Sequence, residues 1–231
     1  MLLDSLRRNR INYYKVFKGT MALFRDPDGT DNVFDISDGL RDSAATRLAL
    51  AHLRGQPAVA AVMDERYLGP AHDLQALKRL PEGTLGRVFA DDMLAKGYDP
   101  EFARPIAVTA EDITYVEYRC RKTHDVWHVI CGFATDVPGE LAIQAFRFAQ
   151  VRLPLGPVLL AGGLLQTLIN HPEQLPRVLD EIGRGWRMGL RARPFLAEKW
   201  EERWTTPLTA LREELGVAPF FNSDGTPRLR D

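Results

Sequence analysis

The stretch Lys122–Glu140, KTHDVWHVICGFATDVPGE, carries two histidines four residues apart and closes on a glutamate twelve residues after the second. Residues four apart on an α-helix lie about 40° from each other around its axis, so His124 and His128 share one face. Thr135 and Asp136 followed by Pro138 and Gly139 read as a turn and a new helix start. The chain can fold back there and bring Glu140 beside the histidines from the first turn of the next helix. The stretch therefore predicts two adjoining helical segments with polar side chains converging between them.

Helical signals continue on both sides. NYYKVFKGTMALF (12–24) is apolar with helix-like recurrence and stops before the turn cluster RDPDGTDN. DSAATRLALAHLRGQP has cap-like Asp42 and Ser43 at its start and Gly55 ahead of Pro57 at its end. DLQALKRLPEGTLGRVFADDMLAKGYDP reads as two helices broken at Pro81-Glu82-Gly83, with Thr84 as the second N-cap. VEYRCRKTHDVWHVICGF, ELAIQAFRFAQVRL, QLPRVLDEIGRGWRMGLRARPFLAEKW and PLTALREELGV complete the helical series. PAVAAVM and IAVTAEDITYVEY are the best strand candidates, and both also fit helix or loop. No repeat, low-complexity run or linker divides the chain. The expectation is an all-α fold: a single multi-helix domain over 1–231, with a metal site between two adjacent helices, an apolar groove and a loosely held polar tail from about 219 to 231.

Composition bounds the function. The 231 residues are 45% hydrophobic and 26% charged, an ordinary globular balance. A formal net charge of -1 argues against a nucleic-acid binder. Two cysteines, Cys120 and Cys131, form no disulfide framework. MLLDSLRRNRINYYKVFKG has no uninterrupted apolar core of a secretory signal. The most apolar stretch, Leu153–Leu165, is 13 residues long, short of the roughly 20 that span a bilayer.

Two imidazoles and a carboxylate suit zinc, iron, manganese or cobalt, and leave coordination positions open, as reactive metal sites do. Asp125 points about 100° from His124 on an ideal helix, so it either bends back to the same ion or orients a histidine from outside the shell. The pattern differs from the zincin motif, because Asp125 stands where the general-base glutamate would be. A satisfied or exposed histidine pair is the plain alternative. Cys131 shares the His128 face, as a soft ligand or as a small buried residue.

The pattern His-Asp-x-x-His, eleven residues, then Glu, formed by His124, Asp125, His128 and Glu140, resembles the signature of the coenzyme Q biosynthesis protein 4 family. PEGTLGRVFADDM, GELAIQAFRFAQ and GWRMGLRARPFLAEKWEERWTTPLTALREELGV resemble other parts of that family, and together the likeness covers about residues 10–218. The resemblance implies an all-helical fold and a divalent metal, usually zinc, held by His124, Asp125, His128 and Glu140. It implies action on prenylated aromatic intermediates of ubiquinone synthesis: loss of the C1 carboxylate from a polyprenyl-hydroxybenzoate, alone or coupled to C1 hydroxylation. It also implies an organising role among the other ubiquinone biosynthesis proteins.

A prenylated substrate needs an apolar trough, and LPLGPVLLAGGLLQTLI offers one, since Gly162-Gly163 admits a close approach of a lipid chain or another helix. Arg184, Arg187 and Arg191 form a basic stripe with Trp186 beside it, either a solvated face or a contact for anionic headgroups at a membrane surface. Trp200 and Trp204 read as core or homodimer-interface packing. The expected location is cytoplasmic and peripheral to the inner membrane, or the equivalent mitochondrial inner-membrane face. Three functions follow: a metal-dependent decarboxylase, a non-catalytic lipid-binding scaffold, and, more remotely, a metal hydrolase sharing only the histidine geometry.

Overall fold

The computed structural model describes residue 11, residues 30–101 and residues 106–220. The helix expected over 12–24 and residues 221–231 of the tail lie outside the described residues. Among the described residues the chain is helical, and no β-strand is present. The helices are α1 (Thr30–Leu40), α2 (Ala44–Arg54), α3 (Pro57–Glu65), α4 (Leu74–Leu77), α5 (Leu85–Lys96), α6 (Asp112–Lys122), α7 (His124–Cys131), α8 (Val137–Val151), α9 (Leu155–Asn170), α10 (Leu175–Arg191) and α11 (Leu208–Glu214). Short 3₁₀ turns link several of them.

Local chemistry sets the boundaries. Ser43 and Thr84 cap α2 and α5, each hydroxyl accepting a backbone N–H three residues on. Gly97 closes α5 at φ 66°, a left-handed position suited to glycine. PAVAAVM is helical in α3, started by Pro57. IAVTAEDITYVEY is irregular through residues 106–111 and helical from Asp112. The helix expected to run unbroken through Thr123 is bent there instead, dividing α6 from α7. The Thr123 hydroxyl donates back to the Arg119 carbonyl at 2.7 Å, a bond that competes with the helical ladder and bends it.

The core is built where α8 meets α10. Gly185 and Gly189 on α10 face α8 so closely that an added Cβ would lie 2.1 Å from the Ala142 carbonyl oxygen and 2.7 Å from that of Phe146. Around this seam Trp127, Phe146, Phe195 and Trp200 meet edge to face, with ring centroids 4.7–5.9 Å apart. Trp200 is fully buried, and Trp204 stacks on Phe89 at 5.4 Å. Both tryptophans therefore take the core reading. Phe220 is buried in the same cluster.

α9 differs from its neighbours. It carries no charged residue and is apolar through Leu165, yet it buries only Leu155, Gly156 and Thr167. Gly163 packs against Leu141, where a Cβ would meet the side chain at 2.4 Å, while Gly162 faces open space. Leu165, Leu168 and Ile169 are exposed. The predicted trough is thus an outward apolar helix face. None of the described helices is long and apolar enough to cross a membrane.

Candidate metal centre

Each donor is placed by its element. His124 opens α7 immediately after the bend at Thr123, and His128 follows one turn later on the same face. Gly132 ends α7 in the left-handed region (φ 65°), turning the chain toward α8. Asp136 caps α8, its carboxylate accepting the Gly139 N–H at 3.0 Å. Gly139 lies against the turn so tightly that a Cβ would stand 2.0 Å from the Ala134 carbonyl oxygen. That contact sets Glu140, in the first turn of α8, against the two rings.

The three donors converge. His128 Nε2 lies 3.2 Å from His124 Nε2 and 3.3 Å from Glu140 Oε1, and His124 Nε2 lies 3.5 Å from Glu140 Oε2. Ligands about 2.05 Å from a tetrahedral ion are separated by about 3.3 Å, the edge of that tetrahedron. By that measure the two imidazole nitrogens stand one edge apart, while each approaches a different oxygen of Glu140. One donor atom from each of the three residues lies within 4.8 Å of the others, a candidate metal-ligand group. His128 Nδ1 lies 3.1 Å from the Phe133 carbonyl oxygen. A carbonyl only accepts, so in the neutral ring Nδ1 carries the proton and the Nε2 lone pair faces the other donors.

Electrostatics agree with the geometry. Burial pushes the Glu140 carboxyl up, but hydrogen bonds and charge from the two histidines in their protonated forms outweigh it and hold the group well below the usual carboxylate range. Burial pushes His124 down, yet the Glu140 hydrogen bond and charge, with the Asp125 charge, leave it raised. His128 is buried, whereas the Glu140 side chain is 41% exposed, so the centre opens to solvent on its carboxylate side.

Asp125 is half-buried and does not belong to the convergent group of His124, His128 and Glu140. Cys131 is fully buried in the hydrophobic core with its thiol pushed up by desolvation, a packing residue as the second reading of it held. Arg184 departs from the predicted basic stripe. It is 4% exposed, pairs with Glu181 at 3.0 Å and places its guanidinium 4.3 Å over the Phe133 ring. Arg187 and Arg191 remain on the surface.

Two supports of α7 escape sequence reasoning. Arg212 on α11 donates to the Val129 and Ile130 carbonyls at 3.0 and 2.9 Å, satisfying the end of the helix that carries both histidines. Burial pushes its guanidinium down to about 10. The Phe133 carbonyl is the other support. Nothing in spacing marks either one, because both act across long sequence separations or through the backbone.

Fold and site together define a class: an all-helical protein whose two histidines and one carboxylate, drawn from consecutive helices, form a candidate metal-ligand group. The family model described as "Coenzyme Q (ubiquinone) biosynthesis protein Coq4" matches residues 15–220, and the chain belongs to that family. The chain thereby has its context in ubiquinone biosynthesis. The mitochondrial ubiquinone biosynthesis protein COQ4 homolog of Rattus norvegicus is 37% identical over 155 residues, covering 64% of this chain and 55% of that protein. Its Homo sapiens counterpart is 33% identical over 184 residues, covering 75% and 66% respectively. The chain thus spans little more than half the length of several curated relatives it matches. A crystal structure from Nostoc punctiforme, provisionally assigned to ubiquinone biosynthesis, superposes with a TM-score of 0.80 at 35% identity, covering 90% of this chain and 99% of that one.

Proposed function

We propose that the chain is a metal-dependent C1 decarboxylase acting on a polyprenyl-hydroxybenzoate intermediate, with carboxylate loss either simple or coupled to C1 hydroxylation, the latter drawing its oxygen atom and two-electron oxidation from an oxidant of the dioxygen class. The observation that carries this reading is the convergence of His124, His128 and Glu140, one donor atom from each lying within 4.8 Å of the others, three donors that leave a coordination position for substrate or water. Zinc suits these donors, and iron, manganese and cobalt share them. Bound there, a divalent cation supplies Lewis acidity toward the substrate carboxylate.

The chain's own side chains do the rest. His128, buried and fixed through Nδ1, holds the head-group end of the site rigid, while the exposed side of Glu140 leaves room for an aromatic ring. Asp125, outside the donor set and next to His124, is the carboxylate available to carry a proton to the C1 ring carbon as carbon dioxide leaves. The apolar face of α9 supports binding of the prenyl tail. Gly163 packs on Leu141, the residue after Glu140, so α9 lies against the helix that carries this donor. Burial of tail surface contributes about 25 cal/mol per Å². The same face suits attachment to the membrane where such lipids reside, on the cytoplasmic or mitochondrial inner-membrane side. Other ubiquinone biosynthesis proteins and a second copy of the chain are further partners on this reading.

One observation favours a second reading, a lipid-binding scaffold. The donors lie on two helices, so a cation there would pin α7 to α8. The test is metal analysis of protein purified without chelators, joined to carbon dioxide release from carboxyl-labelled polyprenyl-hydroxybenzoate. A decarboxylase loses turnover on His128→Ala while staying folded. A scaffold releases no label at any metal load, and loses stability with its metal.

A further inference from the structure

Behind the donors stands a buried cation that touches none of them. Arg184 reaches across from α10 toward the turn that follows α7, where Nη2 approaches the Gly132 carbonyl oxygen at 3.4 Å. Its Nε donates to Glu181 Oε2 at 3.0 Å, and Nη2 forms an ion pair with the same oxygen at 3.0 Å. Its plane covers the Phe133 ring at 4.3 Å. Phe133 in turn presents the carbonyl that fixes His128 Nδ1, and its own N–H donates to the His128 carbonyl at 3.2 Å. The guanidinium, the aromatic ring, the turn carbonyl and the imidazole thus form one continuous contact chain ending at a metal donor.

We propose that Arg184 is a positioning residue of the metal centre. From α10 it clamps the Gly132–Phe133 turn, so that the Phe133 carbonyl holds His128 as its Nδ1–H tautomer with Nε2 directed at the cation. This rests on the metal-binding reading of His124, His128 and Glu140. Lysine cannot substitute fully, because only the planar guanidinium both covers the ring and bonds edge-on to Glu181 and the turn.

The sign of the effect separates positioning from charge. A buried cation near a cation site weakens metal binding by repulsion, so on electrostatics alone Arg184→Gln tightens zinc. Positioning predicts the reverse, a loss of about 10- to 100-fold in affinity, the usual cost of removing an outer-shell support. Zinc affinity is to be measured by competition with a chromogenic chelator for the wild type, Arg184→Gln, Arg184→Lys and the double variant Arg184→Met/Glu181→Met. The double variant removes both buried charges and keeps a packed interior, so it reports where Arg184→Gln alone fails to fold. Nitrogen NMR of ¹⁵N-histidine in the metal-free proteins reads the His128 tautomer directly.

The expected result is weaker zinc binding and a mixed His128 tautomer in Arg184→Gln and in the double variant, with Arg184→Lys in between. Unchanged or tighter zinc binding in folded variants, or a retained Nδ1–H tautomer, overturns the assignment. A wild type that binds no zinc defeats the metal reading itself. The tautomer measurement on metal-free protein still decides the role of Arg184.

Discussion

Glu140 and His124 form an ion pair in the metal-free protein, and its pH dependence follows from the two displaced protonation equilibria. A carboxylate held low in the folded state stabilises fully above its unfolded value, near 4.5, and that stabilisation is lost as pH falls through the folded value. A histidine held high stabilises fully below its unfolded value, near 6.5, and loses this as pH rises through the folded value. The two windows overlap between these limits. The melting-temperature gap between metal-free wild type and Glu140→Gln is therefore expected to peak at about pH 5.5 and shrink on both sides. Metal competes with the His124 proton, so zinc addition in this window is expected to release about one proton per site, read by calorimetry in buffers of different ionisation enthalpy.

At the scale of elements, the glycines of α10 and the start of α8 decide how closely helices approach. Gly185→Ala puts a methyl group into the Ala142 carbonyl and must push α10 from α8. The expected loss is about 2 kcal/mol in urea unfolding, within the range for overpacked cores. Gly139→Ala meets the Ala134 carbonyl instead, in the turn that orients Glu140. Its expected signature is a fall in zinc affinity larger than its fall in stability, measured by chelator competition beside thermal melts. Most of the helices were legible in the chain, since Ser43, Thr84 and Asp136 mark starts that the fold keeps. α1 was not, because Thr30–Asn32 belongs to a run of turn residues. The bend at Thr123 was not legible, because its hydroxyl had two competing acceptors, helix backbone or solvent, and only packing around α6 and α7 chose.

Across the whole molecule, one buried ion pair ties the middle of the chain to its C-terminal part. Arg119 on α6 donates to Glu201 at 2.7 and 3.2 Å, with both side chains almost wholly buried. Breaking such a pair leaves a lone charge in the interior. Arg119→Met is expected to cost about 3–5 kcal/mol, and Arg119→Met/Glu201→Leu much less, both read by chemical denaturation. If the single variant is as stable as the wild type, this pair does not hold the two parts together. Neither residue stood out in the sequence, where they lie 82 positions apart in ordinary charged runs.

The linear chain marked most of the helices, several of their caps and the candidate donor residues, because periodicity, capping and the four-residue histidine spacing are local and need no partner to be expressed. It also marked the turn that returns Glu140 to the histidines. It did not mark α1, which starts inside a stretch read as a turn, and left α3 open as a strand, helix or loop. Only the tertiary structure decided that Arg184 turns inward from an apparent basic stripe, that Cys131 is core, and that Leu165, Leu168 and Ile169 of the apolar segment lie exposed. Those outcomes depend on which surfaces meet when α8, α10 and the C-terminal turns close on one another. Contacts between residues tens of positions apart carry their free energy only after that closure, so no local pattern records them.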